Sequence, residues 1–183
     1  MITKKERALR AAVDEVGDHG IRALTHARVD ARAGLPKGST SNWFRTRAAL
    51  LAGLIEHIAD AERADAPIAP TGDTTTTERD VVDVVCSLIE TASGTQAART
   101  RVRLALSLEA AHDAELLAPL LRQRAVMVEW MAALLRQAGA QDADEAARTL
   151  LACGNGLLFH RLTVDPDAEI RPAVARCVRA CLD

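Results

Sequence analysis

The chain is predicted to be all-α, and three observations carry that reading. Apolar residues recur at helical spacing along most of its length. The β-branched pairs Val81-Val82 and Val84-Val85 continue in the same helical register through Leu88 and Ile89. The 183 residues are 49% hydrophobic but only 2% aromatic, with no tyrosine, so the core must be made of Leu, Val, Ile and Ala, a composition that favours closely packed helices. About nine helices are expected: a three-helix head with a helix-turn-helix, residues 1–47, and a helical body, residues 48–183.

The first helix is expected over Lys4 to Val16, where Leu9, Ala12, Val13 and Val16 form an i, i+3, i+4, i+7 face and Gly17 and Gly20 follow as terminators. Lys4, Lys5 and Arg7 lie on its exposed turns. Its role is to pack against the two short helices that follow, because two short helices cannot bury enough surface alone.

Those two lie in THARVDARAGLPKGSTSNWF, Thr25 to Phe44. Thr25 can cap the first, Val29 and Ala33 give it an inward face, and Gly34 permits the left-handed turn that ends it. Pro36 suits the first turn of the next helix, expected over Lys37 to Trp43. That second helix is unusual for a buried one. Lys37, Gly38, Ser39, Ser41, Asn42 and Trp43 offer a charge, bare backbone, short hydrogen-bonding side chains and an indole donor, and only Thr40 and Phe44 suit an inward face. Such a surface fits the major groove, where base edges and phosphates are read by short polar groups and cations.

Lys4 to Leu51 resembles the N-terminal DNA-binding domain of the TetR family of transcriptional repressors. The resemblance rests on Thr25, Ala33-Gly34-Leu35, Lys37-Gly38-Ser39-Thr40, the pair Trp43-Phe44, and Thr46-Arg47 opening a long helix. Family members often carry tyrosines in the second half of the recognition helix, where this chain has Ser41 and Asn42. DNA contacts are expected from Thr25, His26, Arg28, Lys37, Gly38, Ser39, Ser41, Asn42, Trp43 and Arg47: Lys37 and Arg47 on phosphates, Thr25, His26 and Arg28 either solvated or phosphate-facing, and Ser41 and Asn42 on bases, since an asparagine amide can pair bidentately with adenine. Trp43 has a second reading, as a core residue at the junction with the next helix.

Past the motif, Thr46 can cap a helix with Leu51, Leu54, Ile55 and Ile58 on one face, running to about Ala66. Pro67 to Thr77, PIAPTGDTTTT, is the one marked linker. Further helices are expected at Glu78 to Ala92, Gln96 to Ala111, Ala114 to Ala138, Asp142 to Leu162 and Pro166 to Leu182, separated at Gly94, Asp113, Gly139 and Asp165-Pro166.

The net charge of −2 hides an asymmetry. Residues 1–47 hold ten Lys or Arg against five Asp or Glu; the remainder holds thirteen against twenty. A basic head on an acidic body suits a protein that sets one end on phosphates. No stretch approaches the roughly 20 apolar residues of a membrane span, and MITKKERAL has no secretory apolar run, so a cytoplasmic protein without a membrane partner is expected.

Four cysteines, Cys86, Cys153, Cys177 and Cys181, include no CxxC pair, and buried thiols are the expected reading. Cys177 and Cys181, one helical turn apart, leave a redox role open. His112 beside Asp113 and Glu109 could suggest acid–base or metal chemistry, but it has no second histidine at i+4 and no nucleophile in a recognised setting, so it reads as a helix-end residue. No metal, cofactor or catalytic site is expected.

For the body, the resemblance implies a small-molecule effector of unknown identity and a homodimer through the last two helices. Candidate effector contacts are the polar or soft residues expected on inner faces: Cys86, Glu90, Glu109, Met127, Trp130, Met131, Asn155 and Phe159, although Met, Trp and Phe at helical spacing read equally as plain core. Gly154 and Gly156 interrupt a helix and point to dimer packing ahead of ligand contact. The leading reading is a ligand-responsive DNA-binding regulator, a repressor released from its operator by the effector. The alternative is a small all-α ligand-binding protein or enzyme without DNA binding.

Overall fold

Side-chain oxygens start six of the helices. The Thr3, Thr25, Thr46 and Thr77 hydroxyls and the Asp113 and Asp142 carboxylates each accept from an amide three residues on, replacing partners that a helix start lacks. In this computed structural model, which describes residues 2–65 and 76–183, the described residues form nine α-helices and one short 3₁₀ turn, with no strand. The all-α expectation holds.

The helices are α1 (Lys4–His19), the 3₁₀ turn Ile21–Ala23, α2 (His26–Arg32), α3 (Ser39–Trp43), α4 (Arg47–Ala64), α5 (Glu78–Ser93), α6 (Ala97–Glu109), α7 (Ala114–Gln137), α8 (Ala143–Thr163) and α9 (Arg171–Leu182). Three differ from expectation. Gly17 does not stop α1, which runs on to Gly20, where φ is +78°. A helical glycine costs only about 1 kcal/mol, whereas a left-handed residue ends the ladder. Next, α3 begins at Ser39 because Pro36, Lys37 and Gly38 are spent on a turn, with Gly38 at φ +89°. Finally, α9 begins at Arg171 instead of Pro166. Asp165 uses its carboxylate on the Asp167 amide (3.1 Å) and its carbonyl on the Ala168 amide (3.2 Å), which closes a turn, and Pro172 then opens the helix. Most of the expected linker lies outside the described residues.

The chain divides into two compact units, Met1–Asp65 with Ala98–Gln123, and Ala66–Ala97 with Arg124–Asp183. In the first, α1 packs on α2, α3 and α4. Its core joins Leu24, Val29, Leu50, Leu54, Ile55 and Ile58 to Val102 and Leu106 of α6, all fully buried. In the second, α5, α8 and α9 pack together around Val81, Met131, Leu135, Leu150, Val174 and Val178. Each such Leu, Ile or Val contributes about 1.5 to 3 kcal/mol on burial.

Candidate nucleic-acid interface

A helix of five residues cannot hold itself in water, so the structure must hold α3 from outside. Asp30, the fifth residue of α2 and 2% exposed, does so at the N-terminal end. Its Oδ2 accepts from the Gly38 amide at 2.7 Å; its Oδ1 accepts from the Thr40 amide at 2.8 Å and the Thr40 hydroxyl at 2.5 Å. Burial pushes this carboxyl upward, but the Thr40 hydroxyl, the two amides and nearby His26 outweigh it and hold it below the usual carboxylate range. At the other end, His26 Nε2 donates to the Phe44 carbonyl at 2.6 Å, the direction fixed because a carbonyl only accepts. The Phe44 ring is buried, lies against Gly53 of α4, and has the Lys5 ammonium 5.4 Å from its centroid.

With Thr40 and Phe44 facing inward, Ser41, Asn42 and Trp43 face outward, as the residue pattern requires. Trp43 is 37% exposed. Lys37 and Gly38 are exposed in the turn before α3, and the half-buried Ser39 hydroxyl donates to the Pro36 carbonyl at 2.6 Å. These residues form one continuous polar surface.

The remaining candidates are engaged within the chain. Thr25 caps α2, accepting from the Arg28 amide at 3.4 Å. Arg28 forms an ion pair with Glu15 of α1, a carboxylate only 4% exposed that also meets Arg32 at 3.4 Å and His19 at 3.3 Å. Arg28 therefore fastens α2 to α1. Arg47 donates to the Ile21 carbonyl at 3.2 Å and pairs with Glu109 at 3.5 Å, which joins α4, the 3₁₀ turn and the end of α6.

Asp30, Glu15, Gly53 and Arg45 escape the sequence reading. For Asp30 a signal existed: Gly38 offers α3 no side-chain cap, so an acceptor had to come from elsewhere. Arg45 is exposed and, like Lys37, has no ion-pair partner among the described residues. Its position directly after the buried Phe44 was the available signal.

The effector candidates separate. Cys86, Trp130 and Met131 are buried in the core of the second unit, with Met127 packed against it and Asn155 half-buried. Glu90 and Phe159 do not face inward: Glu90 is exposed and Phe159 is 53% exposed. Their apolar neighbours Ile89 and Leu158 take the inner positions. Glu109 belongs to the first unit, paired with Arg47. His112 lies in the turn after α6, not on the helix. Gly154 would place a β-carbon in ordinary contact with Ile89, 3.8 Å, and Gly156 would place one in open space, so nothing within the chain requires either glycine.

Burial raises all four thiols, Cys153 to about 11, with a hydrogen bond to Cys177 adding to the shift. Raised thiols are poor nucleophiles at neutral pH. Among the described residues no group of three His, Cys, Asp or Glu is placed to hold a metal ion, and no helix is long and apolar enough to cross a membrane.

A helix-turn-helix with an outward polar recognition face, in a chain whose α5, α8 and α9 build a second core with the later part of α7, defines the class of helix-turn-helix regulators. The sequence model of a family described as Tetracyclin repressor-like, C-terminal domain, matches residues 76–183, and the chain belongs to the TetR family of transcriptional regulators. Solved structures agree on the fold. A transcriptional regulator from Rhodococcus sp. Rha1 superposes with a TM-score of 0.83 at 20% identity, over 98% of this chain and 96% of the other. A TetR family member from Streptomyces coelicolor A3 gives 0.69 at 22%, over 98% of each chain. The multidrug binding protein EbrR complexed with ethidium gives 0.70 at 20%, over 99% of each. Comparison with curated proteins by sequence gives no match.

Proposed function

We propose that this protein is a cytoplasmic, ligand-responsive repressor that binds a double-stranded DNA operator through α2, α3 and the start of α4 and performs no chemistry. Residues 1–47 serve as the DNA-binding head and residues 48–183 as the effector-binding and dimerisation region. The observation that carries the reading is the outward face of α3, with Ser41, Asn42 and Trp43 beside Lys37, on a helix held at both ends by hydrogen bonds to α2 side chains. Rigid presentation of short polar side chains is what base reading needs. Asn42 can pair bidentately with adenine, Ser41 with either partner of a base pair, and Lys37 and Arg45 with phosphates.

One head makes too few contacts for a specific site, so a two-fold dimer places two recognition helices about 34 Å apart, in successive major grooves. The α8 surface supports a dimer through the last two helices: Thr149, Ala152, Gly156 and Phe159 recur along its exposed side, and Gly156 has open space where a second helix can approach. A small-molecule effector contacting Cys86, Met127, Trp130 or Met131 would favour a dimer geometry unsuited to the operator, so coupling is a difference in affinity between two states. The relative EbrR is solved with ethidium and with proflavin, which makes planar cationic dyes reasonable first probes.

The test is enrichment of random duplexes on the purified protein. A two-fold symmetric site with half-sites about 10 base pairs apart is expected, bound with a steep salt dependence. Enrichment of no sequence, or binding indifferent to salt, would remove this function.

A further inference from the structure

His26 and Asp30 stand one helical turn apart on α2, and each holds one end of α3. Asp30 takes the Gly38 and Thr40 amides at the start; His26 donates to the Phe44 carbonyl at the end. The α3 helix has no cap of its own, since Gly38 carries no side chain, and Pro36 has no amide to give. Burial of both Asp30 and Thr40 leaves water unable to replace the carboxylate at the Thr40 amide.

We infer that His26 and Asp30 form a two-point clamp that positions the recognition helix, so that sequence selectivity depends on two side chains that read no base. The inference rests on the DNA-binding function proposed above, and it moves His26 from a DNA contact to a positioning residue. Two oxygens bonded to amides two residues apart fix the rotation of α3 about its axis, while the contact at Phe44 fixes its tilt. Loosening either end lets Ser41 and Asn42 swing away from the base edges, since displacement of about 1 Å is enough to weaken such contacts. Phosphate contacts from Lys37 and Arg45 tolerate that movement, because a charge attracts a phosphate without strict geometry. Selectivity and general affinity therefore respond differently. Replacing Asp30 by Asn also removes a negative charge from the head, which by itself would strengthen binding to any duplex.

The experiment measures dissociation constants for the enriched operator and for a scrambled duplex of equal length, with wild type, Asp30→Asn, Thr40→Val, Thr40→Ser and His26→Gln, each checked for folding by circular dichroism. Asp30→Asn, Thr40→Val and His26→Gln are expected to lower the ratio of operator to scrambled affinity, Asp30→Asn by about tenfold, with scrambled affinity unchanged or raised. Thr40→Ser, which keeps the hydroxyl, should retain more of the ratio than Thr40→Val. A folded Asp30→Asn with the wild-type ratio overturns the clamp, as does an equal fall in both affinities. Should Asp30→Asn fail to fold, Thr40→Val and His26→Gln decide by the same criterion. If wild type binds neither duplex, the DNA-binding function has failed and the clamp falls with it, an outcome separate from the two that overturn the clamp alone.

Discussion

The Phe44 ring lies so close to Gly53 that a β-carbon built at position 53 would stand 2.8 Å from its Cζ and 3.1 Å from its Cδ1. Gly53 is in mid-helix, where alanine would ordinarily be the better residue. The glycine is there because the ring needs the space. Gly53→Ala is therefore expected to destabilise the protein by about 1 to 3 kcal/mol through overpacking. Thermal unfolding of Gly53→Ala, made in wild-type and Phe44→Leu backgrounds, measures this. An equal penalty in both backgrounds would show that the ring is not the cause.

Lys37→Ala should weaken binding to all duplexes alike and lower the salt slope by about one unit, while Asn42→Ala should cost about 1 to 3 kcal/mol and relax preference at one base position. Arg28 makes the useful contrast. Its guanidinium is committed to Glu15 but half exposed, so Arg28→Ala should cost up to about 1 kcal/mol of stability. Titrations at several salt concentrations, alongside denaturant unfolding, separate a phosphate contact from a structural ion pair. A lost unit of slope in Arg28→Ala would return that residue to the DNA surface.

Asp30 predicts an acid dependence with a definite sign. Its folded pKa lies below the ordinary 3.8, so its contribution is complete above that value and is lost as pH falls through the folded value. The melting temperature of wild type should exceed that of Asp30→Asn at pH 6, and the gap should narrow below about pH 3.8. A gap that stays constant down to pH 2.5 would mean the carboxylate is not held by these donors.

Phe159→Glu should shift the protein toward monomer, because a charge would replace an apolar side chain at the proposed interface. Sedimentation at several concentrations should show at least about a tenfold rise in the dimer dissociation constant. An unchanged dimer would place the interface elsewhere.

Thiol chemistry should be slow. With every cysteine raised, and Cys153 at about 11, iodoacetamide should label native protein at pH 7.5 far more slowly than unfolded protein. Fast native labelling at Cys177 or Cys181 would revive the redox role that their spacing left open.

The helices were legible because Thr and Asp caps and the glycines at 20, 34, 94 and 139 mark their ends locally. The start of α9 was not, since Asp165-Pro166 also looks like a cap followed by a first-turn proline. Nothing local says that Asp165 closes a turn instead and that Pro172 opens the helix. The outward face of α3 was legible from residue type. Its support was not, because Asp30 and Glu15 look like ordinary solvated charges until a second helix supplies their partners. On α8, Leu157, Leu158 and Phe159 stand in succession, so residue type alone could not select which one faces out.

The Ser41 and Asn42 side chains are exposed and take no part in the hydrogen bonds that hold α3. Among the described residues their side chains form no hydrogen bond or ion pair; the burden of holding the helix falls on Asp30, Thr40, His26 and Phe44. Operator preference is thus nearly free to drift without a cost in stability. A lineage could exchange residues 41 and 42, acquire new target genes, and keep an intact regulator at every step.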